Sequence, residues 1–236
     1  MTAFTPYDRI EIINLPHRKD RRREMMAQLR KVGLENDPRV QFFPAISPQE
    51  TGIFSRRGYL GSFLSHLELL KKAATSGKSI LILEDDCDFI VPDALEYRMP
   101  EGVDVFYGGY LIASNPDDPA DSDIIGAHFM GFSARAAKAA AEYLTAFLEP
   151  DFPPDPRAAA MPDYNHAIRP PIDGAYVWFR RAHPELITVF AMLSDQRASR
   201  TDIGDQRWFD MVPGLRGLAG VARSAKRKLS GGGSPQ

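Results

Sequence analysis

The sequence predicts an α/β fold built on a mostly parallel central sheet flanked by helices, and three features carry that expectation. Short apolar runs alternate with longer segments of helical periodicity, the pattern of strand and helix units folded into layers. The run SILIL at 79–83 is continuously apolar and lies between a glycine turn and an acidic cluster, as expected of a parallel strand buried on both faces. A content of 44% hydrophobic and 25% charged residues in 236 residues is close to the globular norm and is enough for one large core.

Residues 9–14 form an isoleucine-rich strand that runs into the Pro16 turn and a strongly charged helix over 17–30. A second strand follows at 40–43, then an irregular stretch with Pro44, Pro48 and Gly52. A helix beginning near Gly58 carries Leu60, Phe63, Leu64, Leu67 and Leu70 as one apolar face and stops at Ser76-Gly77. The strand at 79–83 is read as central and parallel. Further strands are expected at 104–107, 128–132 and 187–192, with an alanine-rich helix over 134–148. Six prolines between Glu149 and Pro171 rule out a continuous helix and predict a long loop that covers a site or contacts an acceptor. Residues 1–212 are read as one domain and 213–236 as a basic, glycine-rich flexible tail.

A formal net charge of -2 gives no electrostatic case for nucleic-acid binding. The single cysteine, Cys87, excludes an intramolecular disulfide framework and a cysteine-based zinc cage, and it fits a reducing compartment. With no leader-like segment at the start and no apolar run of the roughly 18 residues a membrane span needs, a cytoplasmic protein is expected.

The acidic cluster Glu84-Asp85-Asp86, with Asp88 beyond it, follows the buried apolar run directly. Carboxylates crowded at a strand end repel one another and call for a compensating positive charge. Oxygen ligands suit a hard divalent cation, Mg²⁺ or Mn²⁺, which binds phosphates through one or two carboxylates while keeping several waters. The carboxyl end of a strand is also where open α/β sheets bind ligands. A solvated acidic turn is the other reading of the same residues.

Four pieces, in order, give the chain a family resemblance: IINLPHRKDRR at 12–22, GSFLSHL at 61–67, ILEDDCDF at 82–89 and PPID at 170–173. A weaker fifth is QRASRTDI at 196–203. In these it resembles glycosyltransferase family 25, the lipopolysaccharide and procollagen galactosyltransferase group. Ser62 stands where many members have cysteine and Thr201 where serine is usual, and the proline-rich insertion points to a different acceptor. The resemblance implies a GT-A-like nucleotide-sugar domain and an inverting transfer from a UDP-sugar, galactose by family expectation, to a glycan acceptor such as lipopolysaccharide or another envelope polysaccharide.

In that frame Glu84 and Asp86 match the acidic pair that holds the metal and touches the donor, Asp86 as the direct ligand and Asp85 between them in the donor site. Asn14, Arg18 and Arg22 lie at or just after the first strand, where they would frame the nucleotide or pair with phosphate; a solvated helix face also accounts for the arginines. Ser65 and His66 sit in the family's Leu-Ser-His motif as donor-site residues, His66 being equally well read as a hydrogen-bonded helix histidine. An inverting transfer needs a base at the acceptor hydroxyl. Asp173, held on a stiff Pro-Pro turn, is the candidate, with a helix N-cap as its plain alternative and Asp202 as a second choice. His128 and His183 are read as structural. Trp178 and Trp208 fit core packing as well as sugar stacking, and neither is assigned.

The stretch 215–229 interleaves Leu218, Val221 and Leu229 with Arg216, Arg223, Lys226, Arg227 and Lys228. It reads either as a weakly amphipathic basic helix making peripheral contact with the inner membrane or as a solvated tail. Two rivals to the transferase stand beside it: a relative that binds a nucleotide sugar or glycan without turnover, and a Mg²⁺-dependent phosphotransferase, for which no partner motif is present.

Overall fold

The computed structural model describes residues 2–115 and 117–197. The chain builds β1 (Arg9–Asn14), α1 (Lys19–Lys31), β2 (Val40–Pro44), α2 (Arg57–Ser76), β3 (Ile80–Glu84), β4 (Cys87–Phe89), α3 (Asp93–Glu96) and β5 (Val105–Gly109). It continues through β6 (Ile112–Ala113), β7 (Ile124–Ile125), β8 (Phe129–Phe132), α4 (Ala134–Ala146), α5 (Pro156–Ala159), α6 (Ile172–Ala182), β9 (Thr188–Phe190) and β10 (Ser194–Gln196).

Six strands form the central sheet in the order β2-β1-β3-β8-β5-β9. Five run the same way and β8 runs against both of its neighbours. The sheet is therefore mostly parallel, and the strand read as central and parallel, β3, is central, parallel to β1 and antiparallel to β8. Its side chains alternate between two buried layers. Ile80 and Ile82 join the core formed with α2, α4 and α6, while Leu81 and Leu83 join the core that contains Met25 and Leu29 of α1. Helices thus cover both faces, which is why β3 carries no polar residue until Glu84.

Helix α2 presents Phe63, Leu67 and Leu70 to the core as its spacing predicts, but Leu60 and Leu64 are only half-buried. Ser65, His66 and Leu69 are buried in their stead, so the inward face is rotated toward the polar residues of the motif. Gly77, in the left-handed conformation at φ +62°, ends the helix. Ser133 caps α4 through the Ala136 amide, and the alanines of its inner face let it lie along α2. The proline-rich stretch 149–171 is not structureless: Asp155 caps the short α5 through the amides of Arg157 and Ala158. No helix among the described residues is long and apolar enough to cross a membrane. Asp202, Trp208, most of the fifth motif piece and the tail 213–236 lie outside the described residues.

Candidate functional site

The register Ile13↔Glu84 puts the carboxyl ends of β1 and β3 side by side, so the acidic cluster emerges next to Asn14 and the turn into α1. A cleft of about 330 Å³ opens there. Its floor is Glu84, Asp85 and Asp86, and its walls come from the turn into α1, the loop 45–49 and one face of α2. Gly61 sets how closely that loop meets α2, since a Cβ at this position would lie 2.6 Å from the Ile46 carbonyl oxygen. Ser65 fastens the same contact: its Oγ accepts from the Ile46 amide at 2.9 Å and donates to the Gly61 carbonyl at 2.7 Å. Both of these bonds are internal, so the described role of Ser65 is to shape the wall.

The three neighbouring carboxylates meet three different environments. The Oε1 atom of Glu84 lies 3.3 Å from Ser62 Oγ and 3.4 Å from His66 Nε2. His66 Nδ1 is 2.9 Å from the Tyr176 hydroxyl of α6. With a carboxylate facing Nε2, the ring is best served by a proton on that nitrogen and by Tyr176 donating to Nδ1. Burial acts to raise the Glu84 carboxyl, and the hydrogen bonds from His66 and Ser62, with the His66 and His128 rings nearby, outweigh it, leaving the group below its ordinary range. Asp85 receives Asn14 Nδ2 at 2.6 Å and an Arg21 guanidinium nitrogen at 2.9 Å, and burial still pushes its carboxyl up.

Asp86 is the least compensated of the three. Arg21 comes no closer than 3.8 Å in an ion pair already directed at Asp85, and Gln196 Nε2 lies 3.3 and 3.4 Å from its two oxygens. Burial first, then the charge of Glu84, raises the Asp86 carboxyl to about 7. Beyond the cleft, Asp88 is paired with Arg197, which also binds Glu24 at 2.5 Å.

The other residues singled out from sequence are placed differently. Asn14 belongs to the cluster, since its amide donates to Asp85 and to the Arg18 carbonyl. Arg18 binds Asp20 at 2.7 Å, and Arg22 lies over the Phe42 ring at 3.9 Å; neither lines the cleft. Asp173 sits in the first turn of α6, with Pro171 as the N-cap. One of its carboxylate oxygens accepts from the Gly126 amide and the other from its neighbour Gly174, each at 3.1 Å. It is buried and does not line the acidic cleft. His128 is buried with Nε2 3.1 Å from Ser194 Oγ, and His183 binds Glu185, as their structural reading expects. Trp178 is buried in the α4 and α6 core.

Sequence reasoning missed Arg21 and Tyr176, and gave no role to Gln196, the first residue of the weaker fifth motif piece. Arg21 precedes Met25 by four residues and Gln28 by seven, so it shares the inward face of α1, and that helical phase was a usable signal. Gln196 meets Asp86, and Tyr176 meets His66, each across 110 residues; the motif piece at 196–203 was a signal for the glutamine, and nothing local in the chain foretells Tyr176.

Among the described residues no three His, Cys, Asp or Glu side chains converge to hold a metal ion. The donor set nonetheless fits a divalent cation that takes the rest of its ligands from substrate and water. Glu84 Oε1 is engaged by Ser62 and His66, and among the described residues the ion pair nearest to Asp86 is that of Arg21, at 3.8 Å. Glu84 and Asp86 are the residues that would hold it. No protein-family model matches the chain, and no curated protein matches it.

Proposed function

We propose that this protein is a metal-dependent glycosyltransferase of GT-A-like architecture. It takes a sugar, galactose by family resemblance, from a UDP donor and passes it with inversion to a glycan acceptor such as an envelope polysaccharide. The observation that carries this reading is the under-compensated carboxylate of Asp86, at the carboxyl end of a buried strand and on the floor of a cleft of nucleotide-binding size. Three of the four ordered motif pieces that resemble glycosyltransferase family 25 converge there: Asn14, Ser62, Ser65, His66 and the acidic cluster all lie within or against the cleft, while the fourth, with Asp173, does not.

A cation bound by Glu84 and Asp86 supplies neutralisation of the charge that develops on the leaving diphosphate. The chain's own groups prepare the site for it. Ser62 and His66 fix Glu84, Arg21 and Asn14 fix Asp85, and Gln196 orients Asp86. Asn14, Arg21 and His17 also set the nucleotide side of the cleft, the last two lining it directly.

The closure of Asp173 from this cleft favours a second reading, a relative that binds a nucleotide sugar without turnover. UDP release from a panel of UDP-sugars, with and without Mn²⁺, separates the two when run beside calorimetric UDP binding. The transferase reading expects metal-dependent release from one donor, reduced on the order of a thousandfold in Asp86→Ala. UDP binding with no release from any donor, tested with oligosaccharide acceptors present, would establish the binder. Absence of UDP binding sinks both.

A further inference from the structure

The proline-rich stretch 149–171 adds no strand to the sheet, yet it is tied down at several points. Arg169 donates to the carbonyls of Glu149 and Phe152 at 3.0 and 2.9 Å, and its own amide binds the Ile53 carbonyl at 2.8 Å. Arg181 of α6 bridges Asp155 and Asp123 at 3.2 and 2.9 Å. So anchored, the stretch forms a second cavity of about 320 Å³ against α6 and the lead-in to α2. The first turn of α2 separates the two spaces. Arg57 and Gly58 line the acidic cleft, while Ser55 and Tyr59 line the second cavity.

Aromatic and aliphatic side chains, Tyr59, Tyr164, Trp178 and Val177 among them, make up most of the wall. The Tyr164 and Trp178 rings are 6.3 Å apart and tilted by 46°, leaving a bent aromatic surface. Polar groups gather on the exposed rim. Asp163 is exposed and makes no ion pair among the described residues, and Asn165 is exposed and uses Oδ1 on the Ala167 amide, its NH₂ being the group left to donate. The cationic groups nearby are engaged: Arg169 holds two carbonyls and lies over the Phe147 and Phe152 rings, and Arg181 holds two carboxylates. Aromatic and aliphatic walls accept the C–H face of a sugar ring, and a carboxylate with an amide reads its hydroxyls. An acidic rim whose described cationic neighbours are engaged disfavours phosphates and acidic sugars.

We infer that this second cavity binds a neutral sugar ring, and, resting on the transferase reading, that the ring belongs to the acceptor. Donor and acceptor then lie on opposite sides of one helical turn. The insertion acquires a role through this assignment, as the part of the chain that selects an uncharged acceptor unit.

Saturation-transfer NMR on the full chain tests the site with methyl β-glucoside, methyl β-galactoside, methyl N-acetyl-β-glucosaminide and octyl β-glucoside as neutral probes. Glucose 6-phosphate and glucuronic acid are the anionic ones. The expected result is transfer to the ring protons of at least one neutral glycoside and to neither anion. Asp163→Ala, on the exposed rim, weakens that binding about tenfold, as loss of one charged hydrogen bond does. Ala158→Trp fills the cavity and abolishes it, with UDP binding unchanged as proof of folding. No transfer from any neutral ring, equal transfer from the anions, transfer confined to the octyl chain, or transfer that survives Ala158→Trp each overturn the inference. Sugar binding without UDP binding would remove the transferase reading and leave the site. UDP binding without sugar binding would do the reverse.

Discussion

Asp86 and Asp173 are both buried aspartates in short motifs, and the fold treats them in opposite ways. Asp173 has a backbone amide on each carboxylate oxygen, one from Gly126 and one from Gly174. Asp86 has a long contact with Gln196, a distant share of Arg21, and the charges of Glu84 and Asp85 beside it. A carboxylate supplied with backbone donors is complete as it stands, whereas one crowded by like charges stays costly until something positive arrives. Burial is common to both; what distinguishes Asp86 is the missing compensation.

The largest expected effect follows from that deficit. Burial and Glu84 raise Asp86 from 3.8 to about 7, so between these values the folded chain holds a proton that the unfolded chain has released. Stability therefore falls as pH rises through this window, and the loss is complete above the folded value. Asp86→Asn removes the slope. Thermal melts in the absence of metal should show variant and wild type alike near pH 4 and the variant more stable near pH 8, by about a few kcal/mol at most. Mn²⁺ at pH 8 should raise the wild type and narrow the gap. A wild type no less stable than Asp86→Asn at pH 8 would remove the contrast between the two aspartates.

Tyr176 joins the two regions, since it lies one turn after Asp173 on α6 and reaches His66 and, through it, Glu84. Tyr176→Phe leaves His66 Nδ1 buried without its donor, at a cost of about 1–3 kcal/mol. Mn²⁺-dependent UDP binding should weaken along with stability. Unchanged UDP binding in a variant that has lost stability would confine the Tyr176 bond to the core.

Asp173→Asn is expected to act on stability more than on transfer. An asparagine can offer its oxygen to only one of the two amides, so the other N–H loses its acceptor, again at about 1–3 kcal/mol. UDP release should fall less than tenfold with UDP affinity unchanged. A thousandfold loss of turnover at an unaltered melting temperature would instead make Asp173 the acceptor base and overturn the assignment of an anchoring role.

What the sequence made legible follows how local each signal is. The strand at 79–83 and the helix ending at Gly77 announce themselves through continuous apolarity and a stop signal, and both form within a residue or two of where they are read. The acidic cluster is legible for the same reason, its carboxylates being adjacent in the chain. The reversal of β8 is not, because it depends on which strand β8 pairs with, and a four-residue apolar run fits either direction. Nor is the closure of Asp173, which depends on an amide 47 residues earlier. The rotation of α2 that buries Ser65 and His66 in place of Leu60 and Leu64 lies between these cases: hydrophobicity alone favours the leucines, and only the tertiary bonds to Ile46, Glu84 and Tyr176 justify the polar face.

The smallest expected effect concerns the arginines of α1, where neighbours in sequence part company in space. Arg21 enters the cleft and binds Asp85, while Arg22, one residue on, turns outward and stacks on Phe42. If the cleft binds the donor diphosphate, the arginine that matters is the one in phase with Met25 and Gln28. Arg22→Ala should then change UDP affinity less than twofold and reduce stability by about 0.5–1 kcal/mol, the worth of an exposed cation over an aromatic ring. Arg21→Ala, measured beside it by calorimetry, should alter UDP affinity several-fold, because it strips the cluster of the guanidinium that reaches both Asp85 and Asp86. Equal effects from the two would mean that a diffuse positive field around α1 governs binding, and that the geometry of the cleft does not.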